Sequence, residues 1–248
     1  MVLTSFAGGS VFGRRHGGGS PDVVALHGWG RRSDDFSGLL AGIDAVALDL
    51  PGFGASPPPQ EAMGAAGYAN AVLPVFRSLS SPPIVVGHSF GGRVAVCLAA
   101  THPELVRGLV LTGVPLVRRH GGRGPSWTYR MLRSAHRMHL ISDVRMEAVR
   151  RRRGSPDYRA ASGVMRDVLV MAVNESYEGE LAELRVPVRM VWGEDDRETP
   201  VDIARVALGI MLDAGVEARL DVVSGAGHFL PVERPETIRP LIEPGGWR

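Results

Sequence analysis

No lysine occurs in the 248 residues; all 28 basic side chains are arginine. That absence excludes a nucleotide-binding loop of the G-x-x-x-x-G-K-[ST] type, whose lysine reaches the phosphates. It also means that arginine does the ordinary surface work of lysine here, and codon bias in a GC-rich genome accounts for it without invoking function. Cysteine is almost as scarce. Cys97 stands alone, so no intramolecular disulfide can form, and nothing points to an oxidising compartment. It lies in an apolar stretch and reads as a small core residue rather than a reactive thiol. Long apolar runs are missing too: the longest candidate, 105–117, contains Arg107 and two glycines, too broken to span a bilayer. The first nine residues have neither a basic start nor a long apolar run. No signal peptide is therefore expected, and a soluble, cytoplasmic protein is. No Cys/His/Asp cluster has metal-ligand spacing, so neither metal nor cofactor is expected. No recognition motif for nucleic acid is present either.

What the chain does contain is a pattern of short apolar strands alternating with helices. Strands are predicted near 10–14, 22–26, 45–48, 84–86, 108–112, 188–192 and 219–223. Helices are predicted over 34–40, 61–79, 90–100, 201–213 and 235–242. Buried strands in alternation with helices imply an α/β fold: a mostly parallel central sheet with helices on both faces. At 248 residues the chain is long enough for one such domain with a substantial core.

Ser89 sits at one of the strand-to-helix turns. Ile84-Val85-Val86 reads as strand, Gly87-His88-Ser89-Phe90-Gly91-Gly92 as the turn, and Arg93-Val94-Ala95-Val96-Cys97-Leu98 as buried helix. A serine flanked by glycines at minus two and plus two in this context is a G-x-S-x-G nucleophile elbow. The turn strains the serine backbone, projects its hydroxyl out of the sheet and aims the next N–H groups at a developing oxyanion. Such a serine needs a histidine base and an orienting acid, in the chain order Ser, Asp/Glu, His. Both occur after later strands: Gly193-Glu194-Asp195-Asp196 and Gly225-Ala226-Gly227-His228.

Together with His27-Gly28-Trp29-Gly30 and Asp49-Leu50-Pro51-Gly52-Phe53-Gly54-Ala55-Ser56, these five motifs resemble the α/β-hydrolase fold superfamily, in its serine-nucleophile, esterase-like branch. The resemblance runs over nearly the whole chain. It implies Ser89 as nucleophile, His228 as base and Asp196 as orienting acid, with Asp195 a rival for that role. It also implies the backbone N–H groups of Trp29 and Phe90 as the oxyanion hole. His27, Trp29, Phe90 and Arg93 are candidate substrate-binding residues, with His27 also shaping the oxyanion loop. The implied reaction is hydrolysis of a small carboxylic ester, thioester or lactone through an acyl-enzyme.

Residues 115–185 break the alternation. They show no clear strand and carry apolar residues at helical spacing, such as Val164, Val168, Leu169, Met171 and Ala172. The expected organisation is a core of 1–114 and 186–248 with 115–185 inserted as a helical cap over the site. Residues 115–160 hold twelve arginines against three acids, a net of +9, densest at Arg150 to Arg153. They read as a solvated face or as a docking surface for an acidic carrier protein. Other readings use the same residues. Gly91-Gly92-Arg93 is similar to the menaquinone-pathway synthase branch, a lyase-type activity. His-Gly-Trp-Gly with an arginine-rich cap is similar to pimeloyl-carrier-protein methyl ester esterases. C–C bond hydrolases and hydrolase-like hormone receptors retain the same three residues.

Overall fold

The computed structural model describes residues 1–118, 142, 145, 155–243 and 245–246. An eight-stranded sheet is built from β1 (Val2–Phe6), β2 (Val11–His16), β3 (Val23–Leu26), β4 (Ala45–Asp49), β5 (Ile84–His88), β6 (Gly108–Thr112), β7 (Val188–Gly193) and β8 (Ala218–Val223). Their order is β1-β2-β4-β3-β5-β6-β7-β8. Pairings of β1 with β2 and β2 with β4 are antiparallel; every pairing from β4 to β8 is parallel. β3 to β7 are buried on both faces, which is why they read as continuous apolar runs rather than alternating ones.

Successive residues of these strands feed two separate cores. Val24, Leu26, Val46, Leu48 and Val85 pack under α1 (Ala65–Arg77), α2 (Phe90–Thr101) and α6 (Val201–Asp213). Val23, Ala25, Ala45, Ala47, Ile84 and Val86 pack on the other side against Phe36, Leu39, Leu40, Leu230 and Ile238. Long helices therefore cover one face, and short helices and 3-10 turns cover the other. Helix 34–40 is a correction: only a 3-10 turn, Ser33–Phe36, forms there. Helix 235–242 is another. It breaks into Pro235–Ile238 and a 3-10 turn, Arg239–Leu241. The break falls at Pro240, which has no N–H to continue the helix. Strand β1 was not anticipated at all.

Between β6 and β7 the described regular elements are helices: α3 (Pro156–Ala160), α4 (Gly163–Ala172) and α5 (Glu178–Glu183). Val168, Leu169 and Ala172 of α4 are buried as their spacing suggests, whereas Met171 faces solvent. Met131, Leu132, Ala135 and Met138 lie outside the described residues, as do Arg150 to Arg153.

The elbow joins β5 to α2 with no room for a Cβ at Gly87 or Gly91. A Cβ on Gly91 would lie 2.2 Å from the Leu26 carbonyl oxygen. Gly91→Ala should therefore lower stability by about 2 kcal/mol and the Tm by roughly 5 °C. Gly209, within α6, has open space around a built Cβ, so Gly209→Ala should raise the Tm slightly, by up to about 1 kcal/mol of stability. Thermal melts of the two variants check the contrast in sign.

Candidate active site

In a parallel sheet, all strand C-termini lie along one edge, and loops leaving that edge meet above it. Ser89 directly follows β5, Gly113 follows β6, Asp196 lies three residues past β7, His228 five past β8 and Trp29 three past β3. One edge thus gathers residues from five parts of the chain.

Ser89 is at φ 48°, ψ −114°, a left-handed conformation that a non-glycine residue adopts only when its surroundings enforce it. Here the Ser89 N–H donates to the Thr112 carbonyl at 3.0 Å, and its own carbonyl accepts from Gly92 and Arg93 N–H in the first turn of α2. The side chain is left half-buried at the top of the turn.

Asp196 is buried and fully engaged. Its Oδ1 accepts from the N–H groups of Glu198 at 2.9 Å and Thr199 at 2.8 Å, and its Oδ2 lies 2.8 Å from His228 Nδ1. Asp195 is exposed. The His228 ring packs on the turn after β6: a Cβ on Gly113 would lie 2.8 Å from its Cε1. Beneath it stands the His88 ring, with centroids 4.9 Å apart. The Nε2 of His228 faces Glu198 Oε2 at 3.5 Å. Ser89 Oγ makes no hydrogen bond among the described residues. The structure therefore brings Asp196 and His228 together, and sets the His228 ring on Gly113, one residue past the Thr112 carbonyl that holds the Ser89 N–H; no Ser89–His228 hydrogen bond is formed.

His27 is buried with both ring nitrogens committed. Nε2 accepts the Leu50 N–H at 3.0 Å, so Nδ1 carries the proton and donates to the Gly28 carbonyl at 2.7 Å. Gly28 and Trp29 share a trans peptide, so drawing that carbonyl back points the Trp29 N–H the opposite way. Among the described residues neither the Trp29 nor the Phe90 N–H has an acceptor. A Cβ on Gly28 would lie 3.3 Å from Ser89 Cβ, which sets the two loops side by side. The His27 side chain is thus held in the loop rather than offered to a substrate.

Arg93 also has a different place from the one expected. It is 8 % exposed, and its guanidinium donates to the Ala172 carbonyl at the end of α4 and lies 5.8 Å from the Tyr177 ring. Tyr177 OH donates to Glu175, which also accepts the Ala65 N–H at the start of α1. Arg93 therefore ties α2 to the inserted helices.

Trp29, Phe53, Phe90 and Tyr68 form an edge-to-face aromatic chain with centroid spacings of 4.9–5.6 Å. Tyr68 OH donates to the Pro51 carbonyl at 3.0 Å. Asp49 accepts from Ser33 and Ala55 N–H and so fixes the turn that carries Phe53. Tyr68 and Glu198 were not singled out in the sequence. For Glu198 the signal was present, a further carboxylate two residues beyond Asp196.

Burial drives the His27 imidazole below its ordinary range, and pushes His88 down to about 3, with the neighbouring His228 adding to the effect. Both rings stay neutral under the site. Burial pushes the Cys97 thiol up to about 12, which keeps it inert.

The sequence model of the Alpha/beta hydrolase family matches residues 23–240. The chain belongs to that family. A pimeloyl-[acyl-carrier protein] methyl ester esterase of Aromatoleum aromaticum is 30% identical over 251 residues, with 90% of this chain and 97% of the relative covered. A 2-hydroxy-6-oxononadienedioate/2-hydroxy-6-oxononatrienedioate hydrolase of a Pseudomonas species is 25% identical, with 94% and 90% covered. Among solved structures, a thioesterase domain from the curacin biosynthetic pathway superposes with a TM-score of 0.68 at 19% identity, covering 97% of this chain and 98% of that one. That likeness shows the fold. The protein is an enzyme of hydrolase type, with esterases and C–C bond hydrolases among its relatives. Among the described residues no helix is long and apolar enough to cross a membrane.

The buried histidines carry a pH signature. Unfolding lets His88 and His27 take a proton at their ordinary pKa near 6.5, whereas the folded state resists it, His88 down to about 3. Their contribution to stability is full above 6.5 and is lost as pH falls below it, at up to about 1.4 kcal/mol per pH unit for each histidine. Denaturant unfolding at pH 7 and pH 5.5, before most carboxylates titrate, should show this loss. His88→Asn should flatten the slope.

Proposed function

We propose that this hydrolase cleaves a small carboxylic ester, thioester or lactone through an acyl-enzyme on Ser89. The observation that carries the reading is the 2.8 Å contact between buried Asp196 and His228 Nδ1, at the same sheet edge as an elbow serine and two N–H groups without acceptors among the described residues. On this reading His228 Nε2 takes the Ser89 proton as Oγ attacks the carbonyl carbon. Asp196 keeps the proton on Nδ1 and offsets the imidazolium charge. The N–H groups of Trp29 and Phe90 receive the oxyanion, an effect of about 3 kcal/mol per donor. The imidazolium then protonates the leaving alcohol or thiol. Water, deprotonated by the same nitrogen, releases the acid and restores Ser89.

Trp29, Phe53 and Phe90 offer an apolar wall to the acyl chain. Residues 115–185 act as a lid on this reading, and Met165 of α4, with its Sδ 3.9 Å from Tyr68 OH, brings them to that wall. The synthase reading is weakened at Arg93, which is buried and donates to the Ala172 carbonyl, and is left with the arginines of the cap. The relative that acts on a pimeloyl-[acyl-carrier protein] methyl ester favours a carrier-linked ester, with the +9 segment 115–160 as the docking surface for an acidic carrier.

With p-nitrophenyl esters of graded acyl length, Ser89→Ala should abolish turnover and labelling by a fluorophosphonate. Asp196→Asn should lower kcat by about 10⁴-fold, and Asp195→Asn by no more than a few-fold. Unchanged turnover in Ser89→Ala would sink the mechanism. For the carrier, kcat/KM for a carrier-linked ester should fall steeply with salt while that for a small neutral ester does not, because exposed charges are screened beyond about 10 Å at 0.1 M. Equal salt responses would remove the carrier.

A further inference from the structure

Glu198 occupies a chemically awkward place. Its side chain is 64% exposed, yet its Oε2 stands 3.5 Å from His228 Nε2, the nitrogen that must hand a proton to the leaving group. Its backbone is fixed there, because the Glu198 N–H donates to Asp196 Oδ1. The neighbouring charges are engaged elsewhere. Asp196 is taken up by Nδ1, and Arg31 pairs with Asp35 at 2.5 Å while lying over the Phe229 ring. Glu194 accepts from Ser224 Oγ, and Glu233 accepts the Gly227 and Phe229 N–H groups. His88 beneath is neutral. Among the described residues no guanidinium pairs with Glu198. The loop 194–198 holds four carboxylates and one arginine.

A leaving-group atom that collects the Nε2 proton must lie within about 3 Å of that nitrogen, and hence beside the Glu198 carboxylate. A neutral leaving group has to displace this carboxylate and gives it nothing in return. A cationic group a few ångströms beyond the ester oxygen replaces the lost contact and leaves the Nε2 proton for the departing oxygen. We infer that Glu198 selects the leaving half of the substrate, favouring an alcohol or thiol that carries a positive charge close to the scissile bond and rejecting one that carries an anion there. The inference rests on the reading of His228 as the proton donor to the leaving group.

The test uses butyrylcholine and its uncharged isostere 3,3-dimethylbutyl butyrate, which share an acyl group and differ in the charge of the leaving alcohol. The ratio of their kcat/KM values is compared in the wild-type protein, Glu198→Gln and Ser89→Ala. Glu198→Gln should lower the choline-to-neutral ratio on the order of five-fold, the scale of an exposed charge pair, and added salt should lower it in the wild type alone. A ratio unchanged by Glu198→Gln overturns the inference, even where both esters are hydrolysed in a Ser89-dependent way, and the ester-hydrolase reading then stands. Turnover that survives Ser89→Ala overturns that reading and the inference with it. A role of Glu198 in loop structure alone would change both esters by the same factor, leave the ratio fixed, and so count against the inference.

Discussion

The contact between Asp196 and His228 is what the arrangement of the site depends on. Asp196 is almost fully buried, and a buried carboxylate without partners is costly. Two N–H groups of its own loop and one imidazole nitrogen satisfy it. That set of partners fixes three things together: the bend after β7, the tautomer of His228 and the tilt of its ring over Gly113. With Nδ1 committed to Asp196, only Nε2 is left free for proton transfer. The loop after β8 has little regular structure of its own, and this contact with the Glu233 carboxylate bonding Gly227 holds it in place.

The opposite wall is held by equally specific means. His27 is neutral because burial opposes its charging, and its tautomer is set by the Leu50 N–H. It therefore donates to the Gly28 carbonyl and turns the next N–H outward. Ser89 keeps a strained backbone because Thr112 and the first turn of α2 hold its amide and carbonyl. Rigid dipoles around a partly dry site stabilise charge without reorganising as it develops. The site thus draws its rigidity from the sheet edge and from the neutral, doubly bonded His27, rather than from a network of exposed ion pairs.

Much of this was legible in the sequence, where local chemistry and tertiary position agree. Strands β3 to β7 announce themselves because burial on both faces makes them uniformly apolar. The glycines around Ser89 mark a turn that admits no Cβ. The family resemblance implies Asp196 with Asp195 as a rival, and of the two only Asp196 is buried and bonded to His228. Failures have physical reasons. Strand β1 has exposed Val2 and Leu3 and no apolar periodicity, because only its pairing with β2 makes it a strand. Phe36, Leu39 and Leu40 have helical spacing but bury themselves from turns. Arg93 reads as a candidate substrate-binding residue, since nothing local reveals that its guanidinium donates to the Ala172 carbonyl at the C-terminus of α4. Glu198 was passed over because its importance lies in where the fold brings His228, thirty residues later.

The proposed hydrolysis runs through a covalent intermediate on one serine, which mass spectrometry of the intact protein can detect. After brief acid quench during turnover of an activated ester, a single acyl mass should appear, and peptide mapping should place it on Ser89. It should be absent from Ser89→Ala and should form far more slowly in Asp196→Asn. Acylation at another residue, or hydrolysis that proceeds with Ser89 never modified, would contradict the account.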